Sequence, residues 1–77
     1  MTTNIVSAAE QALGIDIGVT ASGRAYYWDD DTSAGYWATQ EDLAYALECA
    51  GPDAYSQWCA GIPSRPMSRK ACVKYFR

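Results

Sequence analysis

Two aromatic runs, Tyr26-Tyr27-Trp28 and Gly35-Tyr36-Trp37, flank three consecutive aspartates, Asp29-Asp30-Asp31. Aromatic residues favour a pleated, half-buried surface, and the stretch from Asp29 to Ala34 has a length that suits a hairpin connection. The pattern predicts two antiparallel strands, Arg24–Trp28 and Gly35–Ala38, with a tip made of acid. In a chain of 77 residues that hairpin governs the fold. A domain this short buries only roughly 60% of its unfolded surface, and each aromatic ring supplies about 150–250 Å².

The other elements follow from periodicity and punctuation. Ile5, Ala9, Ala12 and Leu13 share one helical face, which predicts a first helix over Asn4–Leu13 stopped by Gly14. Ser7-Ala8-Ala9-Glu10 also fits a capping box, so a start at Ala8 is the other reading. Ile15, Ile17 and Val19 alternate as in a half-buried strand, and Thr20-Ala21-Ser22-Gly23 has the residues of a tight turn. Thr39 caps a second helix with Glu41 and Asp42 in its first turn and Leu43, Ala46, Leu47 and Ala50 as its buried stripe. Gly51-Pro52 separates it from a short third helix carrying Tyr55, Trp58, Cys59 and Ile62.

Pro63 to Ser68 reads as a loop, and the alternation from Ala71 to Phe76 predicts a last strand, with a disordered tail as the alternative. The expected architecture is a single α+β domain over residues 1–77, in the order α-β-β-β-α-α-β. It has a small antiparallel sheet of three or four strands with helices packed on one face. Ile15, Ile17, Val19, Leu43, Leu47, Trp58 and Ile62 are its expected core.

Charge is segregated along the chain. All nine acidic residues precede position 65 and share that region with one base, Arg24. Arg65, Arg69, Lys70, Lys74 and Arg77 follow with no acid among them, so the net charge of −3 conceals a polarised molecule. A field of one sign speeds and selects association with a partner of the other sign. Asp29, Asp30, Asp31, Glu41, Asp42 and Glu48, with Tyr36 and Trp37, are therefore the predicted partner-binding residues. The partner they suit is a basic, nucleic-acid-binding protein complex, whose groove holds phosphates and stacked bases. A merely solvated turn is the competing reading. A metal site is disfavoured, because adjacent strand residues point to opposite faces and the regular ligand spacing of an EF-hand is missing.

The basic tail, with Tyr75 and Phe76, offers a second function: a small nucleic-acid-binding or regulatory module. The negative net charge argues against direct binding of a polyanion. A third reading pairs the tail with the acidic face of a second copy, giving a homodimer or a self-assembling structural protein. Of the three thiols Cys72, beside Arg69, Lys70 and Lys74, is the best candidate for a reactive one, with an ordinary half-buried thiol as the favoured reading.

Other classes fit poorly. The chain has no histidine and three cysteines without C-x-x-C spacing, so neither a zinc site nor a cofactor is expected. No nucleophile motif or phosphate-cradling loop is present, and the reading is that of a non-enzyme. The second and third helices do not suit helix-turn-helix, because the third has no Arg or Lys. No apolar run approaches a membrane span. Met1-Thr2-Thr3-Asn4 lacks the basic start of a signal peptide, which predicts the cytoplasm of a host cell.

In size, in its compact α+β order, in the acidic stretch around Asp29-Asp30-Asp31 and in lacking a catalytic set, the chain resembles small phage-encoded inhibitors of host defence, anti-CRISPR proteins above all. The resemblance implies a mode of action: binding the basic face of a nucleic-acid-processing complex, such as a CRISPR effector, and blocking DNA access. It carries over no individual residue. The basic tail departs from a purely acidic DNA mimic.

Overall fold

In a computed structural model, which describes residues 4–76, the chain forms four helices and one three-stranded antiparallel sheet. Met1 to Thr3 and Arg77 lie outside the described residues. The elements are α1 (Ile5–Leu13), β1 (Ile17–Val19), β2 (Ala25–Asp29), β3 (Ala34–Ala38), α2 (Gln40–Glu48), α3 (Ala54–Gly61) and α4 (Arg69–Tyr75). The α+β class and the antiparallel sheet agree with the sequence reading; the last element is a helix where a strand was expected.

Local chemistry sets each boundary. Asn4, not Ser7, caps α1: its side chain accepts from the Val6 amide at 2.9 Å. Gly14 ends the helix in the left-handed region at φ 70°. Glu10 ties α1 to the sheet by accepting from the Ile17 amide at 2.8 Å. β2 pairs with β1 and β3, placing Tyr27 opposite Ile17 and Tyr36, and Tyr26 opposite Gly18 and Trp37.

The two faces of the sheet are covered by different helices. Ile17, Ala25, Tyr27 and Ala38 point to one face and are buried with Ala9 and Leu13 of α1, Leu43 and Ala46 of α2, and Ala54 and Trp58 of α3. Tyr26, Trp28 and Trp37 point to the other, where α4 lies: the Tyr26 ring is 4.8 Å from Tyr75 and 5.2 Å from Phe76. Helices therefore cover both faces in three layers, where one helical face was expected.

The alternation in Ala71–Phe76 was misleading because a run of six fits either period. Ser68 accepts from the Ala71 amide at 3.2 Å and starts a helix. Ala71, Cys72, Tyr75 and Phe76 become its half-buried face, while Val73 is 55% exposed. The extra strand-like pairing comes earlier, in the proline loop. Met67 donates to the Gly35 carbonyl and Trp37 donates to the Arg65 carbonyl, both at 2.8 Å. Pro66 sits opposite Tyr36 at a position whose amide the ladder does not use, so proline is tolerated there.

The expected core is corrected at two positions. Leu47 is 47% exposed and Val19 48%. Val19 ends its strand at the turn, and the buried face of α2 is centred on Asp42, Ala46 and Cys49, which leaves Leu47 and Ala50 outside it. Ile15 and Ile62 flank the core, and Ile17, Leu43 and Trp58 are within it. We expect Trp58→Ala to lower stability by about 3–5 kcal/mol and Leu47→Ala by about 1 kcal/mol or less, as read from urea denaturation. Equal losses would contradict this placement.

Burial also sets a pH dependence. Desolvation pushes the Tyr27 and Tyr55 hydroxyls well above their ordinary value of 10.0. Burial raises the Cys59 thiol above 9.0, opposed by its hydrogen bond with Tyr55. The unfolded chain loses these protons at ordinary values while the folded chain keeps them. Stability is therefore full below the unfolded values and falls as pH rises through them. The urea midpoint should hold to about pH 8 and fall beyond about pH 9–10, with Tyr27→Phe flattening the decline. A midpoint that rises over that range would refute it.

Candidate functional site

The β2–β3 connection is Asp30-Asp31-Thr32-Ser33, with Asp29 paired to Ala34 at its base. The Asp29 carboxylate accepts from the Asp31 amide at 2.9 Å and the Thr32 amide at 3.4 Å, which closes the turn. Ser33 takes a left-handed φ of 51° to return the chain. Thr32 and Tyr36 join their hydroxyls at 3.0 Å. Asp30 and Asp31 are left exposed at the tip.

Trp28 is the centre of this end. The residue is 37% exposed and its ring rests 5.1 Å from that of Phe76. One hollow of about 450 Å³ beside it is lined by Ile15, Asp16, Asp30 and Phe76. A second, of about 270 Å³, is lined by Ile15, Asp29, Asp30, Asp31 and Tyr55. Asp16 and Asp30 thus flank Trp28, with Asp31 beside them at the tip, while the Asp29 carboxylate lies toward Tyr27, Tyr55 and Cys59 on the other face. Asp16 was missed in the sequence reading. The signal was the β1–β2 register: with Val19 opposite Ala25 and Ile17 opposite Tyr27, Asp16 falls next to Trp28.

The other predicted contact residues do not join this cluster. α2 begins where β3 ends, so Glu41 and Asp42 lie at the opposite end of the hairpin from Asp30. Glu41 is exposed, as is Glu48 at the far end of α2. Asp42 is only 5% exposed. Its carboxylate accepts from the Thr39 amide at 2.8 Å and from Arg65 at 2.7 Å, while Thr39 accepts from the Asp42 amide at 3.1 Å. It is a buried joint and is unavailable to a partner. Tyr36 faces the α1–α3 side, stacked on Tyr27 at 5.6 Å. Trp37 lies at the end away from the acidic tip.

That far end is basic. A groove of about 350 Å³ is lined by Ser22, Arg24, Trp37, Lys70, Lys74 and Tyr75, among others, with no carboxylate in its wall. Arg24 lies over the Trp37 ring at 4.0 Å and Lys74 over Tyr75 at 5.3 Å. Among the described residues the one ion pair is Arg65 with Asp42, so the charges of the groove are unpaired. Cys72 packs under α4, its sulfur 3.2 Å from where a Cβ on Gly35 would sit. Among the described residues no group of three acidic or cysteine side chains converges for a metal, and no helix is long and apolar enough to cross a membrane.

No protein-family model, curated protein or solved structure matches this chain.

Both ends depend on how α4 seats. A Cβ at Gly35 would come within 2.7 Å of Phe76 and 3.0 Å of Met67, so only glycine lets the helix lie this close to β3. α4 supplies Phe76 to the acidic end and Tyr75 to the basic groove. We expect Gly35→Val to lift α4 off the sheet. Helical circular dichroism should fall and tryptophan emission should shift to the red, while the cooperative unfolding of the α1–α3 core persists. Spectra unchanged from wild type would show that α4 does not rest on this residue.

Proposed function

We propose that this is a small binding protein that docks its acidic, indole-centred tip on the basic surface of a nucleic-acid-binding complex in the host cytoplasm and obstructs nucleic acid there, in the manner of anti-CRISPR inhibitors. One observation carries the reading: Trp28, partly exposed beside the tip, borders hollows lined by Asp16, Asp30 and Asp31. Partly exposed indoles are frequent interface anchors. A cluster of like charge beside one steers it to a partner of opposite sign and raises the encounter rate. The two hollows beside Trp28 give a basic side chain of the partner somewhere to sit against the ring face, where cation–π attraction adds to charge.

The contact is smaller than the sequence pattern predicts. Asp42 is committed to the interior and Glu41 lies at the other end of the hairpin, so the working surface is the tip with Asp16 added. No catalytic step is assigned to it.

The test is a triple substitution, Asp29→Asn, Asp30→Asn and Asp31→Asn, with kinetics measured against a basic complex captured from host lysate and identified by mass spectrometry. Asparagine keeps the side-chain carbonyl that closes the turn, so the urea midpoint should hold. Association should slow by roughly tenfold or more at low salt and lose most of its salt dependence. Trp28→Ala should instead speed dissociation. Unchanged rates for the triple variant would contradict the proposal.

A further inference from the structure

The basic groove is not used by the contact proposed above, and it has features that a solvated lysine cluster lacks. Arg24 comes from the β1–β2 turn, while Lys70 and Lys74 come from α4, one helical turn apart and so on one face. Two distant segments thus bring three cations to one concavity in a chain of net charge −3. The sequence offers acids enough to neutralise them, yet none lines the groove.

Arg24 and Lys74 are held by aromatic faces instead. Cation–π contact fixes a guanidinium over a ring without using up its in-plane N–H donors. The Trp37 ring is itself braced edge-on by Tyr26 at 6.2 Å and by Tyr75 at 5.8 Å, so the platform beneath Arg24 is fixed before any ligand arrives. The Thr20 hydroxyl, which accepts from the Arg24 amide at 3.0 Å and pairs with Ser22 at 2.9 Å, holds the turn that presents the guanidinium. The result is a set of charged donors that are positioned and, among the described residues, have no carboxylate partner.

We propose that this groove binds the phosphate group of a nucleotide. A phosphate monoester carries about −1.5 to −2 charges and three acceptor oxygens, which suits three converging cations better than a single carboxylate does. At about 350 Å³ the groove is larger than one anion needs and falls in the range of small-ligand sites. Trp37 and Tyr75 also line the groove and offer aromatic surface to a sugar or base. The acidic tip at the other end of the hairpin repels a long polyanion, so the ligand is short: a free mononucleotide or the phosphorylated end of a strand.

The experiment is a titration of the ¹⁵N-labelled full chain, followed by amide and indole chemical shifts, with AMP, a 5′-phosphorylated oligothymidylate and the same oligothymidylate with a 5′-hydroxyl. Saturable shifts at Arg24, Lys70 and the Trp37 indole with AMP and the phosphorylated strand support the proposal. AMP alone identifies a free nucleotide as the source, and the phosphorylated strand alone a strand end. Equal shifts with the 5′-hydroxyl strand overturn it in favour of general backbone attraction. Shifts that appear on concentrating the protein alone overturn it in favour of a second copy, and no shift with any ligand overturns it outright. Arg24→Gln and, separately, Lys70→Gln with Lys74→Gln should each weaken binding about tenfold or more. Arg69→Gln, outside the groove wall, should leave it unchanged. Equal loss with Arg69→Gln would show that only net charge matters.

Discussion

The buried carboxylate of Asp42 is the joint on which the arrangement of layers depends. It closes the capping box with Thr39 where β3 hands over to α2, and it holds Arg65 at the start of the segment that pairs with the edge of β3. Its backbone carbonyl accepts from the Trp58 indole at 2.7 Å. One residue therefore joins the sheet, two helices and the proline loop. A buried acid without partners would be strongly destabilising; here the Thr39 amide and the Arg65 guanidinium, both donating to its Oδ2, offset the loss of water.

That pairing also shapes the surface. It takes one acid from the set that sequence alone would place outside and one base from the C-terminal run, and each cancels the other. What remains outside is sorted by the hairpin. The β2–β3 turn carries the aspartates, the β1–β2 turn carries Arg24, and the two turns lie at opposite ends of the same strands. β2 has five residues, so at about 3.3 Å per residue the ends are roughly 13–17 Å apart, beyond a Debye length at physiological salt. The opposite charges can persist without collapsing on one another. The rings of Trp37, Tyr26, Tyr75, Phe76 and Trp28 run between them under α4, giving each end an aromatic floor.

Much of this was legible in the sequence where local chemistry decides the outcome. Thr39 before Glu41-Asp42, Gly14 after Leu13 and the aromatic strands on either side of the aspartates each specify their element. Reading failed where tertiary contacts decide. Six residues, Ala71 to Phe76, satisfy both periods, and what selects the helix is the Ser68 cap together with the space above Gly35. The acid run was legible as charge but not as a surface: the predicted strand Gly35–Ala38 already separates Asp31 from Asp42, but nothing in the spacing says that Arg65, 23 positions on, comes back to bury one. The basic groove was hidden for the same reason, since Arg24 and Lys74 meet only once α4 is laid across the sheet.

The claim that Asp42 works inside the protein, in partnership with Arg65, is tested most directly by a double-mutant cycle. Asp42→Asn, Arg65→Gln and the double variant would be compared with wild type by urea denaturation. The structure predicts a coupling of roughly 1–3 kcal/mol, as for a charge-assisted hydrogen bond out of bulk water, with the double variant little worse than the poorer single one. Additive losses within about 0.3–0.5 kcal/mol would contradict it and return Asp42 to the surface.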